Sequence, residues 1–269
     1  MKRAIIIVSL FQSQNEILLE KYRKKVPKYF ESFLHEVGQL CLPLEEGSTE
    51  LNDAIQFISE HGMKTSLFSR VYYTKKEIAQ TRYFHFLEQY PLELEGTTVA
   101  EYGTKYEGRC FSCDSGGIRI GDVLIDRKFV RNVRFGNLRP ELIVSKELKE
   151  LIEEAELTGI TFGPMVKDFK NREIPPFYVA QIDNVLPALS ESTWLMPGGN
   201  CPCCKQKTIY LQSDLQYEEK KLANAKDFNL TCEYLDNWHL RSIVVSAKVR
   251  NLFNENKIRV CRFTPVTIL

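Results

Sequence analysis

Apolar residues in this chain recur with two periods, and the period changes along its length. Ile5, Ile6, Ile7 and Val8 make a β-branched run expected to be a buried first strand. Val26, Tyr29, Phe30, Phe33 and Val37 lie on one helical stripe, with Pro27 restarting the helix near its beginning. Leu51, Ala54, Ile55 and Ile58 keep the i, i+3, i+4, i+7 spacing of a second helix, and Gly62 stands where a left-handed cap is expected. Residues 67–73 read as a strand. Thr74 and Glu77 then have the spacing of a capping box that opens a third helix. Over residues 91–107 the periodicity gives way to Glu, Gly, Thr and Tyr. The expected division is an N-terminal α/β domain over residues 1–105 and a second domain over residues 106–269.

The second domain contains a self-similarity. A shift of 101 residues carries Ser145 onto Ser246 and aligns Leu142, Ile143 and Val144 with Ile243, Val244 and Val245. Without a gap, Leu148, Leu151, Ile152, Leu157, Phe162 and Pro164 fall on Val249, Leu252, Phe253, Ile258, Phe263 and Pro265. Each copy, about 142–166 and 243–267, reads as a strand, a serine suited to cap a helix, an amphipathic helix and a second strand. The expected fold class is α+β: an N-terminal α/β portion, then a duplicated strand-helix-strand unit joined by a cysteine site.

That site rests on spacing. Five of the eight cysteines cluster, Cys110 with Cys113 and Cys201 with Cys203 and Cys204, while Cys41, Cys232 and Cys261 stand apart. The two-residue spacer of Cys110-Cys113 and Cys201-Cys204 lets one tight turn aim both sulfurs at a single ion, its amides supporting the thiolates. These four are the expected ligands of a structural zinc ion. A redox-active dithiol or unligated thiols are the alternatives. Gly116-Gly117 and Gly198-Gly199 read as turns of the knuckles.

Lysine and arginine total 36 against 35 acidic residues, a formal charge of +1, so no global field draws the chain to nucleic acid or to anionic membranes. No apolar run reaches membrane-spanning length. Lys2 and Arg3 precede a short apolar run without a clear cleavage site, so a strand is expected there, with the cytoplasm as the compartment. The four histidines, His35, His61, His85 and His239, have no catalytic or metal spacing, and no phosphate loop or dinucleotide fingerprint occurs. Glu153 and Glu154 are expected on a solvated helix face. One basic stretch, Arg127, Lys128, Arg131, Arg134 and Arg139 with Phe129 and Phe135 interleaved, offers phosphate contacts and base stacking. Its other reading is a charged edge over the sheet. No set of catalytic groups emerges.

Cys110-Phe111-Ser112-Cys113, Cys201-Pro202-Cys203-Cys204 and the terminal module ending Phe263-Thr264-Pro265-Val266 resemble the double-CXXCG motif family, over roughly residues 105–269. Its members are immunity proteins described in myxobacterial toxin systems. Asp114 and Lys205 replace the glycine that the family name requires after each second cysteine. The resemblance implies a non-catalytic, zinc-binding protein that binds and neutralises a cognate toxin. The alternative is a zinc-containing nucleic-acid-binding protein using residues 127–139.

Overall fold

The computed structural model describes residues 3–11, 39–60, 65–88, 99–113, 115–130, 134–138, 140–235, 240–258 and 261–269. Among them the chain is mixed α and β, mostly strand, with four α-helices. It divides into two compact units. The first comprises Met1–Gln80 with Thr193–Leu195 and Gln212–Asp214; the second comprises Thr81–Ser192, Met196–Leu211 and Leu215–Leu269.

In the first unit, β1 (Arg3–Phe11) is the central strand of three, antiparallel to β2 (Gln39–Glu45) and to β3 (Thr65–Tyr72). The β-branched run at residues 5–8 therefore takes the middle position. Pro43 sits on β2, an edge strand, where proline is tolerated. The segment 212–214 runs beside β3: Gln212 O accepts from the Ser69 N–H at 2.6 Å, and the Asp214 carboxylate accepts from the Val71 N–H at 2.8 Å and pairs with Arg70 at 3.2 Å.

Between β2 and β3, α1 (Thr49–Glu60) buries Leu51, Ala54 and Ile58, while Ile55 stays 39% exposed, so the stripe is narrower than its pattern suggested. Ser48 caps it, its hydroxyl accepting from the Leu51 N–H at 3.2 Å. The capping box at Thr74 and Glu77 forms as expected: the Glu77 N–H donates to Thr74 Oγ1 and the Thr74 N–H to Glu77 Oε2, opening α2 (Lys75–Gln80). The expected helix around residues 26–37 and Gly62 lie outside the described residues.

The second unit begins with β4 (Tyr83–Glu88), N-terminal to the boundary expected near residue 105. Two hairpin strands follow, β5 (Lys105–Glu107) and β6 (Ile118–Ile120), then β7 (Leu124–Ile125), β8 (Phe135–Leu138) and β9 (Glu141–Ser145). After them come α3 (Lys146–Glu154), β10 (Ile160–Met165), β11 (Lys167–Asp168) and β12 (Phe177–Ile182). A second hairpin, β13 (Leu195–Asn200) and β14 (Lys207–Leu211), leads to β15 (Gln216–Tyr217), β16 (Phe228–Leu235) and β17 (Leu240–Ser246). The chain closes with α4 (Ala247–Glu255), β18 (Cys261–Pro265) and β19 (Thr267–Ile268).

Two four-stranded antiparallel sheets result, ordered β10-β12-β9-β8 and β16-β17-β4-β18. Their registers correspond at equivalent positions, apart from a bulge between Phe162 and Met165 on β10 and one between Leu230 and Tyr234 on β16. Phe177 lies opposite Ser145 and Ile182 opposite Ile160; Tyr83 lies opposite Ser246 and Glu88 opposite Cys261. The Lys146 N–H donates to Pro176 O and the Ala247 N–H to Arg82 O, at 3.0 and 2.8 Å. Two-residue parallel ladders, β7 with β11 and β15 with β19, follow the same order.

The helices close the cores. Leu148 and Ile152 of α3 are buried, as are Val249 and Phe253 of α4. Phe86 packs edge-to-face on Phe135, Phe253 and Phe263 with ring centroids 5.0, 5.7 and 5.4 Å apart, joining residues from both sheets. Both helices end on a residue in left-handed conformation, Glu156 (φ 51) and Lys257 (φ 55). The caps at their starts differ. Ser145 Oγ accepts from the Leu148 N–H at 3.3 Å, whereas the Ser246 hydroxyl donates to Asp227 Oδ1 at 2.7 Å and makes no cap bond.

Candidate metal centre

Each cysteine pair sits where a hairpin turns. The first lies between β5 and β6, the second between β13 and β14, and the two turns close alike: the Cys110 N–H donates to Ser115 O and the Cys201 N–H to Gln206 O, both at 2.9 Å. Leaving the first turn, Gly116 and Gly117 take φ of 71° and 91°. A Cβ at Gly117 would stand 2.9 Å from Arg109 Cβ and 3.0 Å from Arg109 N, so the turn tolerates only glycine there. Gly198 differs from expectation. It lies within β13, where a Cβ would meet the Tyr210 ring at 2.7 Å, so it serves close strand approach and not a turn.

The turns bring four sulfurs together. The Sγ atoms of Cys110, Cys113, Cys201 and Cys204 all lie within 4.8 Å of one another. Cys110 Sγ is 3.7 Å from Cys201 Sγ, and Cys113 Sγ is 3.5 Å from Cys204 Sγ. A disulfide would hold its sulfurs at about 2.0 Å. Four thiolates around a tetrahedral ion with metal–sulfur bonds of about 2.3 Å stand about 3.8 Å apart. The observed spacing therefore suits a shared ion, and all four residues are free cysteines. Among the described residues no other group of histidine, cysteine or acidic side chains comes together so closely.

Hydrogen bonding inside the turns prepares the sulfurs unequally. The Cys204 N–H, with that of Cys203, draws the Cys201 thiol down to about 6. The amides of Ser112 and Cys113 act likewise on Cys110. Burial pushes the Cys113 thiol up to about 12, against the Ser115 hydroxyl 3.0 Å away. Ser115, buried and 3.7 Å from Cys204 Sγ, links the two turns. Its place two residues after Cys113 was the one signal the sequence offered for it.

The remaining expected residues fall as follows. Cys203 is exposed and outside the group of four, as is Cys232 on β16; Cys41 lies on β2 and Cys261 on β18. In the basic stretch, Phe129 and Phe135 are buried core residues, which removes them from any stacking surface. Arg127 and Lys128 are exposed, and Arg134 donates to Asn256 O at 3.3 Å. Arg131 and Arg139 lie outside the described residues. His85 is buried on the central strand β4; His35, His61 and His239 are not among the described residues. Glu153 is exposed and pairs with Lys149 one helical turn away. No helix among the described residues is long and apolar enough to cross a membrane. No family model matches the chain, and a search of curated proteins found no match.

Proposed function

We propose that the chain is a non-catalytic, cytoplasmic immunity or antitoxin-like protein whose zinc ion, held by Cys110, Cys113, Cys201 and Cys204, is structural. The carrying observation is the set of four sulfurs. Four thiolates complete a tetrahedral shell, leaving no position for water or substrate, so such an ion stabilises and performs no reaction. Sulfur donors suit zinc, with iron the other tetrahedral candidate. Elemental analysis of the purified chain should find one zinc per molecule; iron, or no metal, would sink the assignment.

The reading includes a duplicated module in which each copy gives a strand to the other. In this account one copy runs from β4 through the first hairpin to β11, and the other from β12 through the second hairpin to β19. The matched registers support it. So does the placement of β4 between β17 and β18, and of β12 between β9 and β10. The exchange explains how two hairpins distant in sequence meet at one ion.

A scaffold held in this way presents a rigid surface, and rigid surfaces bind with little ordering cost. A cognate protein toxin is the partner implied by the family resemblance. Affinity capture of the tagged chain from its own cells, with and without nuclease, is the test. A stoichiometric protein that survives nuclease and whose toxicity the chain relieves is expected. Recovery of nucleic acid alone, lost as salt rises, would replace this reading with the alternative in which residues 127–139 contact phosphates. The burial of Phe129 and Phe135 speaks against that alternative.

A further inference from the structure

Among the large hydrophobic side chains of the described residues, Phe111 and Ile118 are the most exposed, at 89% and 76%, and Ile120 is 52% exposed. All three belong to the first cysteine hairpin. On β6, Ile118 and Ile120 share one face by the two-residue period of a strand. Arg119 turns to the other face, where it pairs with Glu141 at 3.2 Å. Across the hairpin, Lys105 stands opposite Ile120 and Glu107 opposite Ile118, both exposed. The sheet has two strands, and among the described residues no further strand pairs with β6.

Exposed sheet edges are ordinarily protected by shortness, an outward lysine, a proline or a bulge. Ile118-Arg119-Ile120 is short, but it carries no outward lysine, proline or bulge, and its one charge is held on the other face by Glu141. We propose that this edge docks a second copy of the chain, the two β6 strands pairing antiparallel about a two-fold axis through Arg119. The register makes the face self-complementary, as a two-fold contact requires. One row across the joined sheet reads Lys105 and Ile120, then Ile118 and Glu107 of the second copy; its neighbour is the symmetry mate. Four isoleucines meet at the centre, with one lysine and one glutamate flanking each side. The flanks are neutral as a pair, so like charges do not oppose association. The two Arg119 side chains approach the axis already neutralised by Glu141. A nucleic acid strand would need phosphate-complementary charge and aromatic platforms, and on this face one lysine is offset by one glutamate beside aliphatic side chains.

The contact is small, so association should depend on concentration. Sedimentation of the metal-loaded full chain over the micromolar range tests it. The wild type should pass from monomer to dimer, Ile118→Lys should weaken dimerisation at least about tenfold, and Met165→Lys, an exposed apolar site elsewhere, should not. Metal content and circular dichroism report whether each variant is folded. As a second measurement, Arg119→Cys should give a disulfide-linked dimer in a buffer of reduced and oxidised glutathione, the oxidised form being reduced as the two thiols join, while Met165→Cys does not, because position 119 alone meets itself across the axis. A wild type monomeric throughout, a dimer indifferent to Ile118→Lys, or equal linkage of the two cysteine variants would each overturn the proposal. The inference stands apart from the toxin reading: loss of the dimer leaves the capture experiment unchanged.

Discussion

Single residues decide the metal centre. Cys110→Ser and Cys204→Ser each remove a sulfur from the group of four, and each should lose the metal and lower the melting temperature. Cys203→Ser should keep one ion per chain, because that thiol lies outside the group although it neighbours Cys204. Elemental analysis beside thermal melting separates these outcomes; full metal retention in Cys110→Ser would remove it from the ligand set. Lys205, next in the chain, holds φ at 61°, the left-handed region that suits glycine. Lys205→Gly should therefore stabilise the fold by about 0.5–1 kcal/mol, read as a raised denaturation midpoint with metal content unchanged. The grouping of the four sulfurs was legible because a two-residue spacer is itself a geometric statement. The link made by Ser115 was not, since its hydroxyl lies against Cys113 in its own turn and reaches Cys204 only once the second hairpin has arrived.

At the scale of elements, local patterns were legible and pairings were not. The capping box at Thr74 and the strand-helix-strand order of residues 142–166 and 243–267 depend on near neighbours, and they are present. The roles of β4 and β12 depend on partners far along the chain, and nothing in Tyr83–Glu88 announces its place beside β17 and β18. Serine at both helix starts hid a difference: Ser145 caps α3, and Ser246 instead serves Asp227. Ser145→Ala should cost about 1 kcal/mol through the lost cap, measured by urea denaturation. Another element-level contact predicts an acid response. The buried Asp168 carboxylate, at the end of β11, accepts from the Arg172 guanidinium and from the N–H groups of Arg127, Lys170 and Arg172. The guanidinium foremost holds its pKa well below the ordinary 3.8. A group depressed in the folded state contributes stability above its unfolded pKa and loses it as pH falls below that value. Denaturation midpoints at about pH 6 and about pH 3 should thus fall further in the wild type than in Asp168→Asn, whose stability at the higher pH is already reduced. Equal slopes would remove Asp168 from the acid response.

For the second unit as a whole, the proposed exchange of β4 and β12 makes a prediction that independent modules would not. If each sheet is completed by the other copy's strand, neither can open alone, and the ion bridging the two hairpins is released when either opens. Phe84 tests this, being fully buried on β4 and remote in sequence from all four cysteines. Phe84→Ala should cost about 3–5 kcal/mol by the cavity it leaves. It weakens β4 between β17 and β18, and hence the sheet whose chain supplies Cys201 and Cys204. Chelator should then strip the metal faster than from the wild type. Amide exchange should rise together in α4, which packs beside β4, and in α3, which packs on the other sheet. Val185→Ala, a partly exposed position, is the control and should change neither rate. Faster exchange in α4 with α3 still protected, or an unchanged rate of metal release, would mean that the two sheets open separately and that the exchange does not bind them into one cooperative body.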